Sequence, residues 1–506
     1  MIEMPLSDFV LKAINLLTTL FVFAIGLGVL LLLVTYIIDR TQSQKAILRN
    51  YPVVGRFRGL FEHLGVFFRQ YFFAMDREEL PFNRAQRSWA YRAAKNINNT
   101  AAFGSTKDLR PEGTVLFVNC PFPELEEDTH PALPLTFGPD CQRPYTTDKY
   151  FHISAMSFGA LSRPAIQALS QGAAKAGIWL NTGEGGLSPW HLQGGCDLIF
   201  QIGTAKYGVR DVEGNLSDTK LREIAAHPEV KMIELKLAQG AKPGKGGLLP
   251  GVKVTDEIAQ IRGIPVGKDS ISPNRHPEVN SNDELLDMLA RIRKVTGLPV
   301  GFKTVISNPV WLENLFALIN QRGIDSAPDF ITVDSGDGGT GAAPMPLMDD
   351  VGVLLKESLP MLVDKLKQTG LRQRIKVICS GKRVTPSDVA WALCMGADFI
   401  NNARGFLFSL GCIQALQCNK NTCPTGITTH DPKLQKGLVP SSKVARVADY
   451  ANNMMHEVEM IAHACGVKGP RKLRRKHARI VLQNGLSVPM DELYPDTVVP
   501  VSGESK

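Results

Sequence analysis

The 506-residue chain is long enough for one large core with extensions. Its formal net charge of +8 thickens at 40–58, 82–95 and 468–478 instead of forming one block, which argues against a nucleic-acid partner and for a membrane surface. Nine cysteines in a chain of this length do not make a secreted disulfide scaffold; Cys120, Cys141, Cys196, Cys379, Cys394 and Cys465 are scattered and read as small buried apolar residues.

No charged residue lies between Ala13 and Ile38, and the run LLTTLFVFAIGLGVLLLLVTYII is long enough to cross a bilayer. It exceeds the apolar core of a signal peptide and lacks a small-residue cleavage site. Lys12 is the only basic residue before it, whereas Arg40, Lys45, Arg49, Arg56 and Arg58 follow. By the positive-inside rule, residues 1–40 are then a single-pass anchor in the inner (cytoplasmic) membrane, with the remainder on the cytoplasmic side. A buried helix is the alternative. Residues 41–149 are expected to form a helical and extended extension. Within it, 53–75 (VVGRFRGLFEHLGVFFRQYFFAM) mixes apolar and basic positions at helical spacing, which suits either a membrane surface or packing on the catalytic domain.

From residue 150 short β-branched runs alternate with helical stretches. Strands are expected at 151–156, 178–182, 198–202, 231–236, 300–305, 329–334, 375–380 and 398–402. Alternating βα units predict an α/β fold, a closed (β/α)8 TIM barrel over 150–430, with a doubly wound open sheet as the alternative and a helical C-terminal extension over 431–506. Small polar and charged residues cluster where the strands end: SAMSFGALS, NTGEGG, AQGAKPGKGG, FKTVIS, DSGDGGTGAAP, CSGKR and NNARG. That is the end at which barrels keep their chemistry. Ser380–Arg383 and Asn402–Gly405 follow strands seven and eight, the usual phosphate position, which with a Gly-lined mouth suits FMN; Arg404 serves equally as a structural rim residue. GDGGTG at 336–341 runs into two prolines and reads as a loop, not as the start of a dinucleotide-binding helix.

The segment GCIQALQCNKNTCPTGITTH carries Cys412, Cys418 and Cys423, the last followed by a proline. Three thiols suit iron–sulfur chemistry; structural zinc would need a fourth ligand, for which His430 is available, and the absence of any metal is a further alternative. Together, SAMSFGALS, NTGEGG, KLAQGAKPGKGGLLPG, DGGTGAAP and the cysteine segment resemble the FMN- and iron–sulfur-binding synthase domain of the glutamate synthase family, in its short free-standing form. The resemblance runs from about Tyr150 to His430. It implies a 3Fe–4S cluster on Cys412, Cys418 and Cys423. It also implies that 2-iminoglutarate, formed from 2-oxoglutarate and ammonia, takes a hydride from reduced FMN, with electrons arriving from a partner subunit or ferredoxin.

On the same basis Lys303, Glu184 and Gln239 are expected at the catalytic centre, with Lys242 nearby; a barrel-interior lysine paired with an acid such as Glu234 or Asp334 is the alternative for Lys303. Ser154, Met156, Ser157, Gln201, Lys303, Gly338, Gly339, Ser380, Gly381, Asn402, Ala403 and Arg404 are expected at the cofactor. The chain departs from the full-length enzyme in three respects. It has a membrane segment where that enzyme has a glutaminase domain, Lys245 where KPGEGGQLPG has glutamate, and Leu248 where it has glutamine. These departures leave open a membrane-tethered flavin and iron–sulfur electron-transfer protein with another substrate.

Overall fold

The computed structural model describes residues 6–495. The first five residues of the expected anchor and residues 496–506 of the C-terminal extension lie outside the described residues. The chain divides into two compact units, Met1–Ala85 and Gln86–Lys506.

The first unit opens with α1 (Leu6–Thr41), within which an 18-residue window of Asp8–Thr41 reaches a mean hydropathy of 2.8 and is unburied. A short helix, Ala46–Asn50, leads into α2 (Val54–Phe68), which runs on through a π-helical turn at Arg69–Phe73. None of the side chains in these last three elements is buried.

The second unit is built on eight parallel strands that close into a barrel. They are β1 (Phe151–Ile153), β2 (Leu180–Asn181), β3 (Leu198–Ile202), β4 (Val230–Lys236), β5 (Val300–Val305), β6 (Phe330–Asp334), β7 (Lys376–Ser380) and β8 (Phe399–Asn402). β8 pairs with β1, so the sheet has no edge and the open-sheet alternative falls. Almost every strand residue is buried, as helices outside and side chains inside a parallel barrel require. The second strand is shorter than expected because the Trp179 amide donates to the His152 side chain, at Nδ1 and 3.1 Å, instead of to a backbone carbonyl of a neighbouring strand.

The N-terminal end of the barrel is plugged by an aromatic cluster. The hairpin Leu135–Phe137/Tyr145–Thr147 drives Phe137 against Trp179, Phe330 and Phe399, all fully buried. Full burial of such a side chain contributes about 1.5–3 kcal/mol. α3 (Arg163–Ala176) starts at an N-cap made by Ser162 and stops at Gly177 in the left-handed conformation. α4 (Arg404–Leu410) follows β8, and the long α5 (Pro440–Ala464) packs along α3. The extensions are not wholly helical. Val115–Phe117, Ala478–Val481 and Ser487–Pro489 pair as a three-stranded antiparallel sheet that ties the two extensions together. Of the six scattered cysteines, Cys196, Cys379, Cys394 and Cys465 are buried, whereas Cys120 and Cys141 are half-buried.

Candidate active site at the C-terminal mouth of the barrel

The strand register sets the first layer of the site. Gln201 on β3 lies opposite Glu234 on β4, and Lys303 on β5 lies between Lys236 on β4 and Thr332 on β6. Glu234 is fully buried and accepts from Asn181 Nδ2 at 2.8 Å, Gln201 Nε2 at 2.6 Å and Thr332 Oγ1 at 2.6 Å. Three donors satisfy a carboxylate that burial would otherwise penalise. Lys303 Nζ lies 3.0 Å from Asp334 Oδ2, with both side chains under a tenth exposed. Asp334 also accepts from the Gly240 amide at 3.2 Å. Burial alone would lower the Lys303 pKa, but the charges of Asp334 and Glu234 outweigh it and raise the pKa, so Lys303 is a permanent cation.

Glu184 and Gln239, far apart in sequence, are joined by Lys236. Its Nζ lies 2.7 Å from Glu184 Oε1 and also donates to Gln239 Oε1. Lys236 was not among the residues singled out from sequence. The available signal was its place as the last residue of a strand, beside Lys303. Burial opposes ionisation of Glu184, yet Lys236 and Lys242 more than reverse this and bring its pKa down to about 2. Burial, helped by the like charge of Lys236, lowers Lys242 to about 8. Since Lys242 loses its proton as pH rises through about 8, binding of any anionic substrate here is expected to weaken above that pH. The check is the pH dependence of KM in wild type and in Lys242→Gln, which should be flat through this range.

The remaining expected cofactor residues sit on loops that interlock. Gly183 has φ +66, and a Cβ there would lie 2.7 Å from the Ser157 amide, so only glycine lets the loops after β1 and β2 meet. The Ser154 amide donates to the Asn402 carbonyl at 3.0 Å, and the Met156 carbonyl accepts from His191 Nε2 at 2.9 Å. Asn402 Oδ1 accepts the Gly405 amide at 2.8 Å, fixing the turn at Ala403. After β7, Gly381 has φ +106, and a Cβ there would lie 2.8 Å from Ser335 Cβ. Lys382 pairs with Asp337 at 2.9 Å. The Gly338 amide donates to the Ser335 carbonyl at 2.9 Å, and a Cβ on Gly339 would meet Arg404 Nε at 3.1 Å. Arg404 Nη2 donates to the Thr340 carbonyl. Ser380 closes β7, buried at the same rim. As the sequence indicated, the GDGGTG stretch is loop; only a five-residue helix, Met345–Asp349, follows it.

The cysteine segment lies on an irregular loop with left-handed residues at Gln414, Leu416 and Asn421. Cys423 is buried; Cys412 and Cys418 are half-buried. Burial raises the Cys423 thiol, but hydrogen bonds from Thr425 and Thr428 bring it below its ordinary value. Burial raises Cys412, and the charges of Cys418 and Cys423 add to the rise. Two cations face these thiols. Arg404 Nη1 is 4.0 Å from Cys418 Sγ. The buried Lys253 donates to the carbonyls of Ala160 at 2.6 Å and Cys418 at 3.4 Å, and burial lowers its pKa to about 8. His430 Nε2 donates to the Gly159 carbonyl at 2.8 Å, which leaves only Nδ1 for another partner. Among the described residues, no three His, Cys, Asp or Glu side chains gather around one metal-ion position.

Residues 124–468 match the conserved region in glutamate synthase. The glutamate synthase large subunit-like protein YerD of Bacillus subtilis (strain 168) is 38% identical over 508 residues, covering 93% of this chain and 96% of that protein. The archaeal-type glutamate synthase [NADPH] of Thermotoga sp. (strain RQ2) is 33% identical over 323 residues, 63% of this chain and 60% of that protein. Among solved structures, the flavin-binding domain of baker's yeast flavocytochrome b2 aligns at 13% identity with a TM-score of 0.46, over 83% of this chain and 86% of that one. By the conserved-region match and the full-length relative together, this chain belongs to the glutamate synthase family.

Proposed function

We propose that this chain is a membrane-anchored oxidoreductase of the glutamate synthase type, which reduces 2-iminoglutarate, formed from 2-oxoglutarate and ammonia, to glutamate with electrons from a partner subunit or ferredoxin. The observation that carries the reading is the ring of cations Lys303, Lys236 and Lys242, set against Asp334 and Glu184 at the strand ends. A dicarboxylate needs two cationic anchors, and a reacting imino nitrogen needs an acceptor between them.

The chemistry of the two donor sets supports both cofactors, three thiols suiting an iron–sulfur cluster better than a single ion. FMN would be held by Ser154, Met156, Ser157 and Gln201 on one side and by Gly338, Gly339, Ser380, Gly381, Asn402, Ala403 and Arg404 on the other, with Lys303 toward the ring. The left-handed Gly381 and the cations Lys382 and Arg404 suit its phosphate. Cys412, Cys418 and Cys423 would hold a 3Fe–4S cluster, whose negative charge suits the flanking Arg404 and Lys253. When bound, FMN supplies hydride transfer and the cluster supplies one-electron transfer.

The chain's own groups divide the remaining work. Glu184, with a pKa near 2, stays ionised at neutral pH. It acts as a hydrogen-bond acceptor that orients the imino N–H, not as a general acid. Lys242, with a pKa of about 8, is the group suited to give and take a proton near neutrality. Lys303 stays charged and clamps a carboxylate. α1 is the membrane anchor, with the barrel on the cytoplasmic side. The second reading, an electron-transfer protein with another substrate, is favoured by Lys245 and Leu248 where the full-length enzyme carries glutamate and glutamine.

The experiment combines cofactor release with an anaerobic assay. Denatured pure protein is expected to release FMN in about equimolar amount, one phosphate site per barrel. Reduced ferredoxin with 2-oxoglutarate and ammonium is expected to yield glutamate. Release of FAD or of no flavin overturns the cofactor assignment. FMN present with no glutamate formed overturns the reaction in favour of the second reading.

A further inference from the structure

We propose that α2 and the π-helical turn after it form a second membrane contact, lying flat at the headgroup–acyl boundary of an anionic leaflet. This rests on the reading of α1 as a bilayer-spanning anchor. Asp39, in the last turn of α1, is almost fully buried, although none of the other side chains described in that helix is. Its carboxylate accepts from Arg56 Nη2 at 2.6 Å, from Arg56 Nε at 2.9 and 3.0 Å, and from the Val53 amide at 2.9 Å. Val53 and Arg56 are the N-cap and third residue of α2. The start of α2 is therefore clamped to the end of α1, where a spanning helix leaves the hydrocarbon.

The connection between them is built, not slack. The Gln42 amide side chain donates to the carbonyls of Asp39 and Lys45 and accepts the Lys45 amide, and Arg40 Nη1 donates to the Arg49 carbonyl. A Cβ on Gly55 would touch Leu48 and the Ile47 carbonyl, so the short linking helix packs on the first turn of α2.

The face that α2 leaves uncovered has the chemistry of that boundary. Phe57, Leu60, Phe61, Leu64, Phe68, Tyr71 and Phe72 recur at helical spacing on one side, with Phe67 at its edge and Glu62, His63 and Val66 off that face. The π-helical turn advances each residue by less than an α-helix does, which keeps Phe72 and Phe73 on the side of Phe68. Their rings lie 5.6 and 6.3 Å from that of Phe68. All these aromatic residues are exposed. Arg40, Lys45, Arg49, Arg56 and Arg58 follow one another closely in sequence from the end of α1; Arg56 is held by Asp39 and Arg58 by Glu62, and the excess positive charge of the segment suits anionic headgroups.

The test uses full-length protein in vesicles of phosphatidylcholine and phosphatidylglycerol, with a p-benzoylphenylalanine photocrosslinker placed singly at Leu20, Phe61, Phe72 or His63. Lipid adducts are expected at Leu20, Phe61 and Phe72 and not at His63. Arg56→Gln is expected to cut the Phe61 adduct several-fold while leaving that at Leu20 unchanged. Lipid adducts at Leu20 combined with protein adducts, or none, at Phe61 and Phe72 overturn the seating of α2 alone. Absence of lipid adducts at Leu20 overturns the anchor and this inference with it.

Discussion

Replacing Lys303 with glutamine is expected to lower turnover about 10²–10³-fold, the scale for loss of one preorganised electrostatic contact to the reacting centre. The same change leaves Asp334 buried at the barrel rim with the Gly240 amide as its remaining hydrogen-bond partner among those described above. Stability should then fall by about 3–5 kcal/mol. The double variant Lys303→Gln/Asp334→Asn separates the two effects, because it removes the stranded charge. It is expected to regain most of the stability and none of the activity, read by chemical denaturation and by steady-state assay. Recovery of turnover in the double variant would show that Lys303 only neutralises Asp334 and would remove it from the chemistry.

Cys418→Ser has the second large effect. The oxidised wild-type protein is expected to show the paramagnetic signal of a 3Fe–4S centre, and the variant none, with flavin absorbance retained. A hydroxyl is a poor substitute for a soft thiolate, and three ligands leave none in reserve. The flavin loops should survive because Arg404, which lies 4.0 Å from the Cys418 thiol, keeps its bond to the Thr340 carbonyl when the thiol is gone. Metal analysis completes the experiment. A silent wild-type spectrum with stoichiometric zinc would falsify the cluster assignment.

The barrel was legible because its strands are short, β-branched and buried on both faces, so each stands out as an apolar run ending in glycine and small polar residues. The expected 198–202 and 300–305 coincide with β3 and β5. Residues beside the candidate site were legible where one segment carries several of them, as in Cys412–Cys423. Partnerships across the mouth were not. Nothing local ties Lys236 to Glu184, because one ends β4 and the other lies in the loop after β2, and they meet only when the barrel closes. Lys253 was invisible for the same reason; it reaches the Cys418 carbonyl from the turn Gly251–Lys253, just past the end of the glycine-rich motif. The sheet joining the two extensions depends on pairing Val115–Phe117 with residues more than three hundred positions later, which no local pattern encodes.

Leu248 opens a ribbon, Leu248–Leu249 paired with Ser270–Ile271, and Lys245 lies in the glycine-rich loop that leads into it. Both side chains are exposed, whereas Leu249 is buried. The loop approaches the site through glycine: a Cβ on Gly247 would come within 2.7 Å of Glu184. Lys245 reaches the interior only as a charge that depresses Lys242. The ribbon is in this sense a replaceable cover over a fixed machine. A change at its exposed positions alters the entrance while leaving the Lys236–Glu184 and Lys303–Asp334 pairs below it in place. Divergence at these two positions is change in the doorway and not in the room behind it.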